Sequence, residues 1–204
     1  LNTQMKSVGE AMSIGRTFKE ALGKALRYLE LDATPKLDFD HIPQYLANPT
    51  PERLAYIFAA LRRNYSVERI HDLTGIDPWF LNEMHQFIKF EARMRAMAWE
   101  ALDRETLLQA KMWGFSDLEL SELFERSEGV IRARREALDV MPVFKMVDTC
   151  AAEFEAATPY FYSTYAGTEN EAAPTEREKI VILGSGPNRI GQGVEFDYAN
   201  VHAV

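Results

Sequence analysis

Cysteine is nearly missing from this 204-residue chain, in which Cys150 stands alone. A single thiol excludes an intrachain disulfide and a cysteine-built metal cage. It fits a reducing compartment, so a cytoplasmic location is expected. Long apolar runs are missing as well: no stretch approaches the ~20 residues needed to span a bilayer. The first ten residues hold no apolar core of a signal peptide, and no membrane partner is expected. Surplus positive charge is also absent, since the net charge is −8. That balance argues against a general affinity for nucleic acid or anionic lipid, both of which reward clustered Lys and Arg. The four histidines, His41, His71, His85 and His202, show no metal-ligand spacing. Surface or capping roles are expected of them, and no metal.

What is present suffices for a packed core. Hydrophobic residues make up 47% and charged residues 26%, ordinary values for a soluble globular chain. The length allows one good-sized core or two small ones. Leu1 stands where an initiator Met would, and Val204 falls inside what reads as a new element, so both ends are expected to be cut edges.

Helix signals recur along the first 140 residues. Thr17 to Glu20 fits a capping box, with Phe18, Leu22, Ala25, Leu26 and Leu29 at helical spacing behind it and an end near Glu30. Asp32 to Pro43 reads as a linker. Thr50-Pro51 predicts a cap followed by proline at the first helical position, with Leu54, Ile57, Phe58 and Leu61 as the buried stripe. Ser66 predicts a short helix through Ile70 and Leu73 to Gly75. Asp77-Pro78 opens a long one carrying Phe80, Leu81, Met84, Phe87 and Ile88, with Trp99 as its furthest end. Asp103 starts a helix through Leu107, Leu108 and Met112 to Gly114. Ser116 and Glu119 form another capping box, and Ser127 starts a last helix through Val130, Ile131 and Leu138, stopped before Pro142.

The two rounds resemble each other at an offset of fifty. Tyr65-Ser66, Ile70 and Leu73 correspond to Phe115-Ser116, Leu120 and Leu123. Two small helical subdomains of similar plan, packed side by side, are expected; chance likeness between helical pairs is the competing reading. A second function class follows from the same pattern, because each round offers a helix-turn-helix of the DNA-binding kind. Charge weighs against it. The candidate recognition helix from Asp77 to Arg95 sets Lys89, Arg93 and Arg95 against Asp77, Glu83 and Glu91, and the one from Ser127 to Asp139 sets Arg132, Arg134 and Arg135 against Glu128, Glu136 and Asp139. A groove-reading helix needs a positive surplus. Phe80, Met84 and Phe87 are expected to pack a core instead.

From Met141 the texture changes. Asp148-Thr149 can brace the turn that leaves the helices, and Cys150, in an Ala-rich stretch, reads as a buried inert thiol. Thr158 to Tyr165, aromatic and β-branched, suits an extended segment, and Gly167 to Glu178 a polar connector. Lys179 to Leu183 then reads as a buried strand entering a glycine-rich turn. Such a turn opens Rossmann-type domains, where glycine lets backbone approach a phosphate. Gly184 and Gly186 fit the first two glycines of the dinucleotide fingerprint. Arg189 occupies the third position, and Gly191 and Gly193 lie further on, so a nicotinamide site is not expected.

The full string from Lys179 to Tyr198, KIVILGSGPNRIGQGVEFDY, is far more specific than its glycines. It resembles the opening of the second synthetase half in the large subunit of carbamoyl-phosphate synthase. Met5 to Phe18, MKSVGEAMSIGRTF, is similar to the close of the first ATP-grasp half in that family. Val147 to Phe154, VDTCAAEF, and Tyr162 to Tyr165, YSTY, resemble the exit from its oligomerisation domain. The resemblance implies a mainly α fold: residues 31–172 as a helical oligomerisation domain, 1–30 as the edge of the first half, and 173–204 as the Rossmann-like start of the second, short α/β remnants flanking the helices. It implies a parent that makes carbamoyl phosphate from bicarbonate, glutamine-derived ammonia and two ATP, for arginine and pyrimidine synthesis. Its partners would be a small glutaminase subunit and other large subunits. ATP and Mg or Mn belong to parts of the family not matched here, so no cofactor, metal ligand or catalytic residue is carried over, and the piece is expected to be inactive alone. Glu10 and Glu195 fall at motif positions where the family places glutamates lining the carbamate passage. The plainer readings are a cap or surface ion pair for Glu10 and a helix-start acid for Glu195.

Overall fold

A computed structural model describes residues 12–28, 37–182 and 202–203. Among them the chain forms eight α-helices and one two-stranded sheet: α1 (Phe18–Tyr28), α2 (Ile42–Ala47), α3 (Arg53–Arg62), α4 (Val67–Thr74), α5 (Pro78–Arg95), α6 (Arg104–Met112), α7 (Asp117–Phe124), α8 (Glu128–Ala137), β1 (Val143–Met146) and β2 (Phe161–Thr164). The mainly α expectation holds.

Local chemistry sets most of the helix starts. A helix leaves its first amide donors orphaned, and a side-chain oxygen one residue upstream can accept one. Ser66 Oγ accepts from Arg69 N at 3.2 Å, Asp77 Oδ1 from Trp79 N at 2.7 Å and Asp103 Oδ1 from Thr106 N at 2.8 Å. Ser116 and Glu119 complete a reciprocal capping box at 3.0 and 2.7 Å. Two expected caps do not form. Arg53 N and Val130 N bond the main-chain carbonyls of Thr50 and Ser127 instead, which leaves the Thr50 hydroxyl buried without a partner. At α1 only half the box forms as expected: Thr17 Oγ1 accepts from Glu20 N, while Glu20 reaches past Thr17 to the amide of Arg16. The α5 helix stops at Arg95, and a 3-10 turn takes up Trp99–Ala101.

The fifty-residue repeat is physical. Tyr65 N and Phe115 N close their preceding helices on the carbonyls of Ala60 and Ala110, both at 3.0 Å. Asn64 and Gly114, fifty apart, are left-handed at φ +61 and +96, and Gly75 and Glu125 at +70 and +52. Leu81 and Ile131, again fifty apart, are fully buried. The two rounds share one continuous core. Phe87 of α5 stacks on Phe115 at 4.2 Å and meets Phe58 edge-on at 6.1 Å.

Nothing in that packing favours the DNA-binding reading. Helix α5 buries Leu81, Met84, Phe87, Ile88, Phe90, Glu91 and Met94, more than one face of the cylinder, and α8 buries Arg135. Helix α5 is therefore a core helix, and with Arg135 buried α8 has no positive surplus to present to a groove. Phe80 departs from the expectation of a core position: it is 42% exposed and leans on Phe18 at 5.3 Å.

Two elements fall where none was expected. Helix α2 lies across the end of the predicted linker, with Pro43 in its first turn and Ile42 and Leu46 in the core. Tyr45 stacks on Tyr56 at 4.2 Å. Arg53 bonds the carbonyls of Leu46 and Thr74 at 2.9 and 2.8 Å, placing a cation at the C-terminal ends of α2 and α4. Strand β1 pairs antiparallel with β2, Val143 opposite Thr164 and Met146 opposite Phe161. The extended reading of 158–165 thus holds, and β1 is its partner. Lys179 to Ile182 is neither a strand nor buried, and Ile180 is 94% exposed. A buried strand exists only inside a sheet, and the described residues offer that segment no strand to pair with.

Candidate functional site

Glu10, Glu195 and the turn glycines Gly184, Gly186, Gly191 and Gly193 lie outside the described residues. The described residues instead converge on a junction where α1 and the β-hairpin close over the second helical round.

Helix α1 is seated by two glycines and a lysine. Gly23 faces Gly114 so closely that a Cβ on Gly23 would sit 3.0 Å from the Gly114 carbonyl oxygen. Backbone therefore packs on backbone. Arg27 donates to the Gly114 carbonyl, and Lys19 pairs with Glu83 of α5 while lying 4.7 Å from the Trp113 ring centroid. Glu20 is almost fully buried and holds Lys24 at 2.9 Å. Lys24 also donates to the carbonyls of Ile14 and Ser163, which ties α1 to β2.

The hairpin is held by a buried ionic cluster. Asp117, the first residue of α7, accepts from Lys111 at 2.8 Å and from Arg135 at 3.2 Å, and the three side chains are each at most a tenth exposed. Tyr165, just past β2, lies over both cations, 5.2 and 5.9 Å from its ring centroid. Arg135 also donates to the Val140 carbonyl. Here α6, α7, α8 and the hairpin meet at one carboxylate. A cavity of about 240 Å³ opens beside it, lined among others by Lys24, Arg27, Lys111, Ser163 and Tyr165.

Burial pushes the Lys111 ammonium below the usual lysine range, against the pull of Asp117. Burial alone would lift Asp117, but the Lys111 hydrogen bond and the charges of Lys111 and Arg135 outweigh it and hold its carboxyl below 3.8. Burial raises the Tyr165 phenol. A carboxylate lowered on folding contributes stability that is complete above its unfolded value and lost as pH falls through its folded value. The gap in thermal stability between the natural chain and Asp117→Asn should therefore be full near neutral pH and shrink below pH 3.8. Melting curves of both proteins across that range measure it. A gap independent of pH would place the effect elsewhere.

Other polar groups are consumed in structural pairs. Glu91 bridges Arg62 at 2.7 Å and Arg95 at 3.1 Å beside a groove of about 470 Å³ between α3 and α5. His85 lines that groove, and burial followed by the Lys89 charge lowers its pKa. His41 pairs with Asp38, and His71 bonds the Ile76 carbonyl at 2.7 Å. Asp148 braces its turn as expected, accepting from Cys150 N and Ala152 N at 2.8 Å. Cys150 is half-buried rather than buried, because that turn runs over the surface. Among the described residues no three His, Cys, Asp or Glu side chains could hold a metal, and no helix is long and apolar enough to cross a membrane. This arrangement can lock segments together.

Residues 10–139 match the family described as carbamoyl-phosphate synthetase large chain, oligomerisation domain. The chain belongs to that family. Residues 176–204 match the carbamoyl phosphate synthase preATP-grasp domain. Over its whole length the chain is 65% identical to the carbamoyl phosphate synthase large chain of Thermotoga neapolitana, of which it covers 18%. It is similarly 50% identical to that of Pseudomonas aeruginosa and 48% identical to that of Archaeoglobus fulgidus, covering 20% of each. The chain thus spans a fifth or less of the length of these relatives. The junction was missed in the sequence because Lys111, Asp117, Arg135 and Tyr165 come from four elements and share no local period; only the Asp117 position inside a capping box hinted at order.

Proposed function

We propose that this chain is the helical, non-catalytic spacer of a carbamoyl phosphate synthase large chain, and that it carries a surface for association between large subunits. The observation that supports it best is the junction itself: buried charges are spent on clamping α1 and the hairpin to one core. The parent would make carbamoyl phosphate from bicarbonate, glutamine-derived ammonia and two ATP, with Mg or Mn, beside a small glutaminase subunit. Glu10 and Glu195 would line its carbamate passage, each supplying a carboxylate to orient a labile intermediate away from water. Residues 1–30 would close the first synthetase half, 31–172 form the spacer and 173–204 open the second.

For assembly, the aromatic patch at the start of α5 is the favoured surface. Trp79 is 54% exposed and packs with Phe18 and Phe80 at centroid distances of 5.4 and 5.0 Å. A two-fold interface uses one such patch against itself. Sedimentation over a wide concentration range should show self-association, weakened at least tenfold by Trp79→Ser, with no ATP hydrolysis by the 204-residue chain. A strict monomer at high concentration would remove the assembly role.

A further inference from the structure

The β1–β2 hairpin presents an apolar face to solvent. Side chains alternate across a strand, so the pairing of Phe144 with Ser163 and Met146 with Phe161 puts all four on one face. The opposite face turns inward, with Thr164 buried. A hairpin packed on one side ordinarily shows polar residues on the other. Here Phe144 is 46% and Phe161 42% exposed, and Phe154, in the connection between the strands, is 75% exposed. That connection is built to hold its shape: Ala151 and Ala152 are left-handed at φ +50 and +60, tied by the Asp148 carboxylate.

The chain leaving the hairpin is pinned beside this face. Glu171 N donates to the Phe144 carbonyl, Asn170 Oδ1 accepts from Phe144 N, and Glu171 Oε2 accepts from Met146 N, each at 2.8 Å. Lys145 closes an ion pair with Glu171 at 3.0 Å. The open edge of β1 is thereby filled as far as Glu171. The preATP-grasp match begins at residue 176. Five residues reach at most about 17 Å, so the start of that module lies within one small-domain radius of the aromatic face. A tether that short corresponds to a local concentration on the order of millimolar or more. At Ile180 and Val181, 94% and 78% exposed, the start of the module carries strand-type side chains that need a sheet of their own.

We propose that the outer face of the hairpin, with Phe144, Phe161 and Phe154 as its contacts, is the seat of the preATP-grasp module of the same polypeptide. The hairpin is then a bracket: clamped to the helical body through Tyr165 and Lys24 on one face, it fixes the second synthetase half on the other. This rests on the spacer reading above.

Hydroxyl-radical labelling of the full-length large chain tests it with no substitution. Phe39, 48% exposed and on the opposite flank of the sequence, is the internal reference of the same residue type. Phe144 and Phe161 should be oxidised at least fivefold more slowly than Phe39, at every protein concentration. Oxidation of all three at similar rates would overturn the proposal. So would protection that appears only as the chain self-associates, since the face would then lie between copies. A failure of the bracket leaves the sedimentation result for the Trp79 patch unchanged, which separates the two readings.

Discussion

Replacing Asp117 with asparagine should destabilise the fold by about 3–5 kcal/mol, the usual consequence of removing one partner from a buried ion pair. Asp117 is the carboxylate shared by Lys111 and Arg135, and both cations are at most a tenth exposed. Asparagine keeps the shape and one acceptor but leaves two buried positive charges in close contact. Lys111→Met should cost much less, because the Asp117–Arg135 pair survives and an unbranched apolar chain fills the lysine stem's place. The order of the two variants is what identifies the cause. Urea denaturation of both measures it; equal losses would mean that packing, rather than charge, holds the junction. The hairpin should loosen first, since a lone two-stranded sheet is marginal in water and Tyr165 sits on the cations.

The contrast between what the sequence revealed and what it hid follows interaction range. Ser66, Asp77, Asp103 and Ser116 act within three residues, and each cap was readable where it stands. Thr50 and Ser127 carry the same signal, yet there a main-chain carbonyl takes the amide, an outcome the residue types do not decide. Helix α2, which begins inside the last two residues of the predicted linker, is not legible because six residues give too few turns for a period, although Ile42, Pro43 and Leu46 contain the pattern. Strand β1 has no alternation of its own and is defined by β2, some eighteen residues away. The ionic cluster was the least legible: Arg135 stands in a run of charges that looks solvated, and only the fold brings it to Asp117. Within the repeat, divergence is the informative feature. Asn64 and Gly114 occupy the same left-handed turn, but Asn64 is exposed while α1 lies across Gly114. Asparagine tolerates that conformation in open space; beneath another backbone only glycine fits.

That divergence yields the second large effect. Gly114→Ala should cost about 2–5 kcal/mol, combining left-handed strain with overpacking. At φ +96 an alanine is strained, and its Cβ would lie 3.2 Å from the Lys19 carbonyl oxygen, 3.3 Å from that of Glu20 and 3.3 Å from the Gly23 Cα. All three are backbone atoms of the α1 region, so nothing can swing aside; α1 must lift. Gly75→Ala is the matched control, because Gly75 is left-handed at φ +70 with nothing within 4 Å of the new Cβ. It should cost about 1–2 kcal/mol, the strain alone. Thermal unfolding compares the two, and proteolysis at Lys19, Lys24 and Arg27 reports whether α1 has come away. Since α1 joins Lys24 to the hairpin through the Ser163 carbonyl, the Gly114 variant should loosen both clamps of the junction together. Equal costs at Gly75 and Gly114, with α1 still protected, would show that the glycine contact is not what seats the helix.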